Sequence, residues 1–269
     1  MKRVVIISDT QLPYEDRRAL NNVIKFIGDY QPDQVIQIGD LMDYPTPSRW
    51  NKGTREEFAQ LVREHSDYGK RKFLEPLRAV YDGPIGILEG NHDLRPRTYL
   101  SQYAPALAEF EDVLRFEVLL DFDGFGVEKV PALTPVGPDT LLMHGHEKKG
   151  SSRLPAGLAF LHAEALDANV VCGHTHKLGV RRHTRGYVGG KITTRWGFEV
   201  GCLMDRAKAQ YLGETGSVNW QLGFGLLYVG DHDVSPVAID VRRDGSFVVE
   251  GERYGALKRG PGGKFAPAA

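Results

Sequence analysis

Val4-Val5-Ile6-Ile7-Ser8-Asp9-Thr10-Gln11 is an apolar run that stops on a polar cluster, and the same transition returns four more times along the chain. Gln34-Val35-Ile36-Gln37-Ile38 leads into Gly39-Asp40-Leu41-Met42-Asp43, and the mixed run Pro84–Glu89 into Gly90-Asn91-His92-Asp93. Thr140–Met143 leads into His144-Gly145-His146, and Asn169–Cys172 into Gly173-His174-Thr175-His176. Short apolar runs bounded by turn residues read as buried strands. Each cluster is therefore expected where a strand ends and a loop begins, the edge at which open α/β sheets place their chemistry.

Working outward, residues 3–8, 34–38 and 84–88 are expected strands, separated by helical patterns. Arg17–Ile27 carries Leu20, Val23, Ile24 and Ile27 at helical spacing, and Arg55–Tyr81 is a long charged helical stretch with a break expected near Pro76. Arg97–Glu117 reads as helix in pieces around Pro105. This βαβ alternation implies a mostly parallel sheet covered by helices. After about residue 120 short β-rich segments follow: Gly126–Val130, Thr140–Met143, Leu178–His183, Gly225–Val229, Val237–Val241 and Phe247–Glu250. Arg243-Asp244-Gly245 is a hairpin signal, and one amphipathic helix, Ala156–Leu166, interrupts the series. A second sheet packed on the first, with helices outside, is expected. Because the clusters span both halves and must converge, residues 1–257 read as one domain, and 258–269, rich in Gly, Pro, Lys and Ala, as a mobile tail.

Composition narrows the function classes. The 269 residues include 34 basic and 35 acidic ones, so no global field draws the chain to nucleic acid or to a membrane surface. Long duplex DNA is disfavoured as a partner on the same ground. The N-terminal apolar run is four residues, too short for a signal-peptide core, and no stretch has the length that crosses a bilayer. Cys172 and Cys202 lack CxxC spacing and sit in apolar sequence, which reads as reduced core thiols in a cytoplasmic protein.

The clusters carry the chemistry. Asp9, Asp40, His144, His174 and His176 mix carboxylate and imidazole donors, which suits Mn, Fe, Zn, Co or Ni better than Ca or Mg. His174 and His176 are two apart on an expected extended loop, which would turn both imidazoles to one face. Asp40 is the natural bridge between two ions. Two metals ~3.5–4 Å apart can hold a hydroxide, its pKa lowered toward ~7, and clamp a phosphoryl group. Singly, Gly-Asp and Gly-Asn pairs are common turn formers. GHTH is more specific, and all five clusters in order at strand ends leave a purely structural role little room.

The series DTQ, GDLMD, GNHD, HGH and GHTH resembles the motif set D-x-H, GDxxD, GNH(D/E), His-Gly and GHxH of the calcineurin-like metallophosphoesterases. The resemblance covers residues 9–176 and implies a four-layer α/β/β/α sandwich, two packed sheets flanked by helices. It implies that Asp9, the residue at position 11, Asp40 and His176 hold one divalent metal ion. It implies that Asp40, Asn91, His144 and His174 hold the other. His92 matches the family's catalytic His near the leaving-group oxygen, and Asp43 would orient that imidazole and favour its protonated form. The departure is Gln11, where the pattern has His. Its amide is neutral and a poorer donor to borderline metals, so the first site is expected to be looser.

Other candidates surround these. Arg95 and Arg97 follow GNHD and could fork onto substrate phosphate or simply start a solvated helix. His146 lies two residues after a ligand and is a near-site candidate for substrate contact, as is Asn91. Lys148 and Lys149 lie in a loop that leaves a ligand strand. Pro45–Trp50 could wall a substrate pocket with Trp50 stacked on a base, or Trp50 could serve packing. Asp231-His232-Asp233 reads as a turn, and His65, His162 and His183 as structural. The reading is a dinuclear phosphoesterase using two divalent ions, manganese first and Fe, Zn, Ni or Co as alternatives. A metal-bridging hydroxide would attack and His92 would act as general acid. The expected partner is a small nucleotide-type phosphodiester, with no membrane. Alternatives are a phosphomonoesterase, a nuclease on DNA or RNA ends, and a non-catalytic metal-binding scaffold of the same fold.

Overall fold

A computed structural model describes residues 1–147, 150, 153–209 and 218–255. Lys148, Lys149 and the expected tail, 258–269, lie outside the described residues. The chain opens with β1 (Lys2–Ile7), whose four apolar residues are all fully buried. Alternation splits them between two cores: Val5 and Ile7 join one apolar cluster, Val4 and Ile6 another. A strand buried on both faces must have layers on both sides, and here helices cover one face and a second sheet the other.

The helix side begins with α1 (Arg17–Tyr30), where the Asp16 carboxylate caps the first turn by accepting from the backbone N–H groups of Arg18 and Ala19. Its Leu20, Val23, Ile24 and Ile27 are buried as their spacing predicts. β2 (Gln34–Gln37) follows. The charged stretch is broken earlier than Pro76 suggests: a 3₁₀ turn at Arg55–Phe58 is followed by α2 (Val62–Gly69) and, after a π turn over Lys70–Leu74, by α3 (Glu75–Arg78). Pro76 sits in the first turn of α3, where its missing N–H costs nothing, and the π turn shifts the ladder just before it. Then come β3 (Ile85–Leu88), α4 (Arg95–Tyr103), a 3₁₀ run from Pro105 to Leu114, α5 (Phe116–Leu119), α6 (Phe122–Phe125) and β4 (Val127–Val130).

The second half supplies β5 (Thr134–Gly137), β6 (Thr140–Leu142), α7 (Gly157–Leu166), β7 (Asn169–Cys172), β8 (Leu178–Arg185) and β9 (Thr193–Val200). It closes with β10 (Gly223–Val229), β11 (Val234–Asp240), β12 (Phe247–Val249) and β13 (Glu252–Tyr254). The first sheet runs β11-β10-β1-β2-β3-β4, with β1 to β4 parallel, and the second β5-β6-β7-β9-β8. Thus the first sheet is not confined to the first half. The β10–β11 hairpin, joined across Asp231-His232-Asp233, returns to pair antiparallel with β1.

Between the sheets lie Ile36, Leu88, Leu142, Val171, Phe198 and Leu227, while Val170 and Cys172 face α7 across Ala159 and Ala163. The result is a four-layer α/β/β/α sandwich. β9 has no counterpart among the expected strands, because Thr193–Arg195 are polar and Gly197 interrupts the apolar pattern. That glycine is demanded by α7: a Cβ there would lie 2.2 Å from the Phe160 backbone nitrogen. The turn at Arg243-Asp244-Gly245 is present, but β12 pairs with β13 instead of β11, drawn onto α1 by Phe247 and Tyr254 packed on Phe26. Both cysteines are buried and unbonded to each other. Among the described residues no helix is long and apolar enough to cross a membrane.

Candidate active site

β1, β2 and β3 run parallel, so the loops carrying Asp9, Asp40 and Asn91-His92 leave one edge of the first sheet, and β6 and β7 bring His144 and His174 to it from the second. The loops turn sharply there. Asp9, Gln11, Asp40, His174 and His176 all have positive φ, between +47° and +67°. That region costs an L-residue about 1–2 kcal/mol and is tolerated best by Asp, Asn and His, and its concentration in one place marks a functional site. Gly90 lets two loops meet: a Cβ would lie 2.3 Å from both the Asp40 backbone nitrogen and its Oδ1.

One cluster is built on Asp40, His144 and His174, whose donor atoms lie within 4.8 Å of one another. His144 Nε2 is 3.3 Å from Asp40 Oδ2 and 3.2 Å from Asn91 Oδ1, while its Nδ1 donates to the Ile38 carbonyl at 3.0 Å. That outer bond fixes the ring so that Nε2 faces the cluster. Burial alone would lower the His144 pKa, but the Asp40 carboxylate outweighs it and pushes the imidazole up to about 10. Asp40 itself is held well below its usual range: burial opposes this, and the His144 and His92 imidazoles prevail. The carboxylate that draws a proton onto His144 would equally favour a divalent cation in its place.

The second cluster comprises Asp9, Gln11 and His176. His176 Nε2 is 3.2 Å from Asp9 Oδ1 and 3.1 Å from Gln11 Nε2. Asp9 Oδ2 accepts from Ser8 Oγ at 2.6 Å and from the His174 N–H at 2.8 Å. Burial raises the Asp9 pKa, and His176 and His144 bring it below the ordinary value. The two histidines of GHTH do not share a face as an extended loop would require. Both are left-handed, so His174 packs on His144, with ring centroids 5.2 Å apart, while His176 packs on Trp220 at 4.2 Å. Each ring serves a different cluster.

These donors fit divalent ions. Gln11 Oε1 is buried and has no hydrogen-bond partner among the described residues, which is costly unless a cation or a similar group satisfies it, and Asp9 Oδ1 faces only the His176 imidazole, at 3.2 Å. The amide orientation of Gln11 is interchangeable by a flip that aims Oε1 at His176.

Beside the first cluster, His92 Nδ1 is 2.7 Å from Asp43 Oδ1 and its Nε2 3.8 Å from Asp40 Oδ2. Arg95 Nη1 donates to Asp43 Oδ2 at 3.0 Å and to the Asp43 carbonyl at 2.7 Å, and its Nη2 lies 3.2 Å from His92 Nε2. Arg97 instead pairs with Glu89 at 2.7 Å. His146 lies 5.3 Å from His144 and 6.2 Å from His174 between ring centroids, its pKa lowered by burial and by His144. His65 bonds Thr46, and His183 lies on an exposed strand beside Glu164.

Two acids carry roles that the motifs leave unassigned: Asp93, inside GNHD, and Glu147, outside the motifs. Asp93 accepts from the N–H of Met42 at 2.8 Å and of Gly90 at 2.9 Å, tying GDLMD to GNHD, and burial with the Asp40 charge pushes its pKa well up. Glu147 accepts from the N–H of His144 and of Gly145. No sequence signal marks this role.

The family described as calcineurin-like phosphoesterase matches over residues 2–199. The chain is 50% identical over 253 residues to the Gene 54 proteins of Mycobacterium phages D29 and L5, covering 93% of this chain and 97% of each relative. Among solved structures, it is similar to Vps29 of Chaetomium thermophilum, with a TM-score of 0.46 at 11% identity over 94% of this chain and 97% of that one. It is also similar to Yfce, a phosphoesterase from E. coli, with a TM-score of 0.38 at 14% identity over 88% and 98%.

Proposed function

Because this chain belongs to the calcineurin-like phosphoesterase family, we propose that it hydrolyses phosphate esters, most favourably a small nucleotide-type phosphodiester. The observation that carries the reading is the His92–Asp43 pair, 2.7 Å apart, set against the Asp40, Asn91 and His144 cluster. A protein that merely stored metal would not need an oriented imidazole there. Asp9, Gln11, Asp40 and His176 would hold one divalent ion, and Asp40, Asn91, His144 and His174 the other. Bound ions supply Lewis acidity that lowers the pKa of water toward ~7 and offsets phosphoryl charge. Manganese suits the mixed oxygen and nitrogen donors.

The residues divide the remaining work. Asp43 fixes the His92 ring through Nδ1, leaving Nε2 to give its proton to the departing oxygen. Arg95 Nη2 lies 3.2 Å from that nitrogen, which can accept from it only while unprotonated. A protonated His92 therefore turns Nη2 toward a phosphoryl oxygen while Nη1 stays on Asp43. Balanced charge speaks against long duplexes and for a small diester.

Assay of the manganese-loaded protein against bis-p-nitrophenyl phosphate, p-nitrophenyl phosphate, cyclic nucleotides and single-stranded DNA tests the proposal. Diesters should turn over faster than the monoester; the reverse order would favour a phosphomonoesterase, and no turnover a scaffold. Chelation by EDTA should abolish turnover and manganese restore it, whereas activity persisting after verified metal removal would remove the metal-dependent reading. Gln11 is the weak member of its cluster. Calorimetric titration of Gln11→His is expected to tighten one of two manganese sites about tenfold, as imidazole replaces an amide. Equal affinities in both proteins would mean that position 11 does not ligate.

A further inference from the structure

A cavity of about 320 Å³ opens beside Asn91 and His92, and its lining includes Trp50, Tyr99 and Tyr103. We infer that this cavity is a subsite for the base of the departing nucleoside, an assignment that rests on the phosphodiesterase reading above. Its volume sits at the lower end of the ~300–1,000 Å³ range of small-molecule sites, which suits a nucleoside and not a duplex. Its position identifies the occupant's role. His92 gives its proton to the leaving oxygen, so a group held in the cavity next to His92 is attached to that oxygen.

The walls have the chemistry that a base requires. Trp50 leaves 72% of its surface exposed and Tyr103 43%, so both rings are available to a ligand at the cavity. Tyr99 and Tyr103 stand 4.8 Å apart between centroids, brought together by one turn of α4. The Arg49 guanidinium lies over the Trp50 ring at 4.7 Å, and Lys52 Nζ lies 4.9 Å and 4.4 Å from the Tyr99 and Tyr103 rings. Aromatic faces interleaved with cations are what stacked bases use, and Gln102 adds an amide for a base edge.

The loop that carries Trp50 is held by its own hydrogen bonds. Asn51 Nδ2 donates to the Pro45 carbonyl at 2.8 Å, and the N–H groups of Ser48 and Asn51 close two turns. Trp50 is thus presented at low entropic cost, which favours binding. A neighbouring cavity of about 340 Å³ shares Ser48, Trp50 and Arg95 with the first.

Adenosine and thymidine carry no ester to cleave, so the manganese-loaded full chain can be titrated with each by tryptophan fluorescence and calorimetry. Both should bind, and Trp50→Ala should weaken them about 5- to 100-fold, with Trp50→Phe restoring most of the affinity. Tyr103→Ala should weaken them as well, and deoxyribose alone should not bind. Because Trp50 and Tyr103 are exposed, thermal unfolding should be close to that of the parent in both variants. Absence of nucleoside binding, or equal affinity in the parent and both alanine variants, would overturn the subsite. The two readings fail separately. Hydrolysis of bis-p-nitrophenyl phosphate without nucleoside binding sinks the subsite alone, whereas nucleoside binding without any diester hydrolysis sinks the phosphodiesterase reading and leaves a base-binding pocket.

Discussion

His92→Ala is expected to lower kcat/KM about 10²- to 10⁴-fold on diesters with poor leaving groups, the range a positioned general acid supplies. The imidazole is held by Asp43 at 2.7 Å, and its own backbone N–H donates to Asp40 Oδ1 at 2.8 Å, a bond that alanine keeps. Asn91, His144 and Asp40 are untouched, so metal content measured by elemental analysis should remain at the parent value. The loss should shrink as the leaving group improves, because a nitrophenolate departs with little help from a proton. Kinetics across a series of leaving groups of increasing pKa therefore provides the decisive slope. A uniform loss across the series would assign His92 to binding or positioning, and an unchanged rate on a poor leaving group would remove it from catalysis.

Asp40→Asn should be more damaging still, because the Asp40 carboxylate faces His144 at 3.3 Å and His92 at 3.8 Å. An amide preserves the volume and the oxygen that accepts the His92 N–H, but removes the charge. A lost Lewis acid is worth several kcal/mol, which at about 1.4 kcal/mol per tenfold amounts to about 10³-fold or more in turnover. Metal content should fall at both sites together, since the two proposed ligand sets share Asp40. Elemental analysis after dialysis and calorimetric titration read this directly. Loss of one ion with the other retained would make Asp40 a ligand of a single site, and full occupancy would exclude it from the ligand set.

Much of this was legible in the chain before any coordinates. Apolar runs ending on Asp9, Asp40, Asn91, His144 and His174 place those residues at strand ends, because a buried strand must stop where polar atoms begin. α1 was equally plain, since its apolar spacing survives into burial, whereas α7 forms where expected but not as an amphipathic helix, burying His162 and exposing Leu161. What resisted was any feature set by a distant neighbour. β9 reads as broken because Gly197 answers to α7, and β10 with β11 reads as part of a second sheet although it completes the first. In the site, the extended loop expected for GHTH gave way to two left-handed residues, which send the two imidazoles to different clusters.

The sequence by itself determined the ligand chemistry and the order in which it is delivered, because residue type and strand periodicity are local properties. Only the tertiary structure decided that Arg95 leans on Asp43, that Asp93 ties GNHD to GDLMD through the Met42 N–H, and that Trp50 shares a cavity with Tyr99 and Tyr103 beside His92. Those contacts join residues brought together by sheet order and helix crossing. Spacing along a chain fixes which face a side chain occupies, and it does not fix what stands opposite.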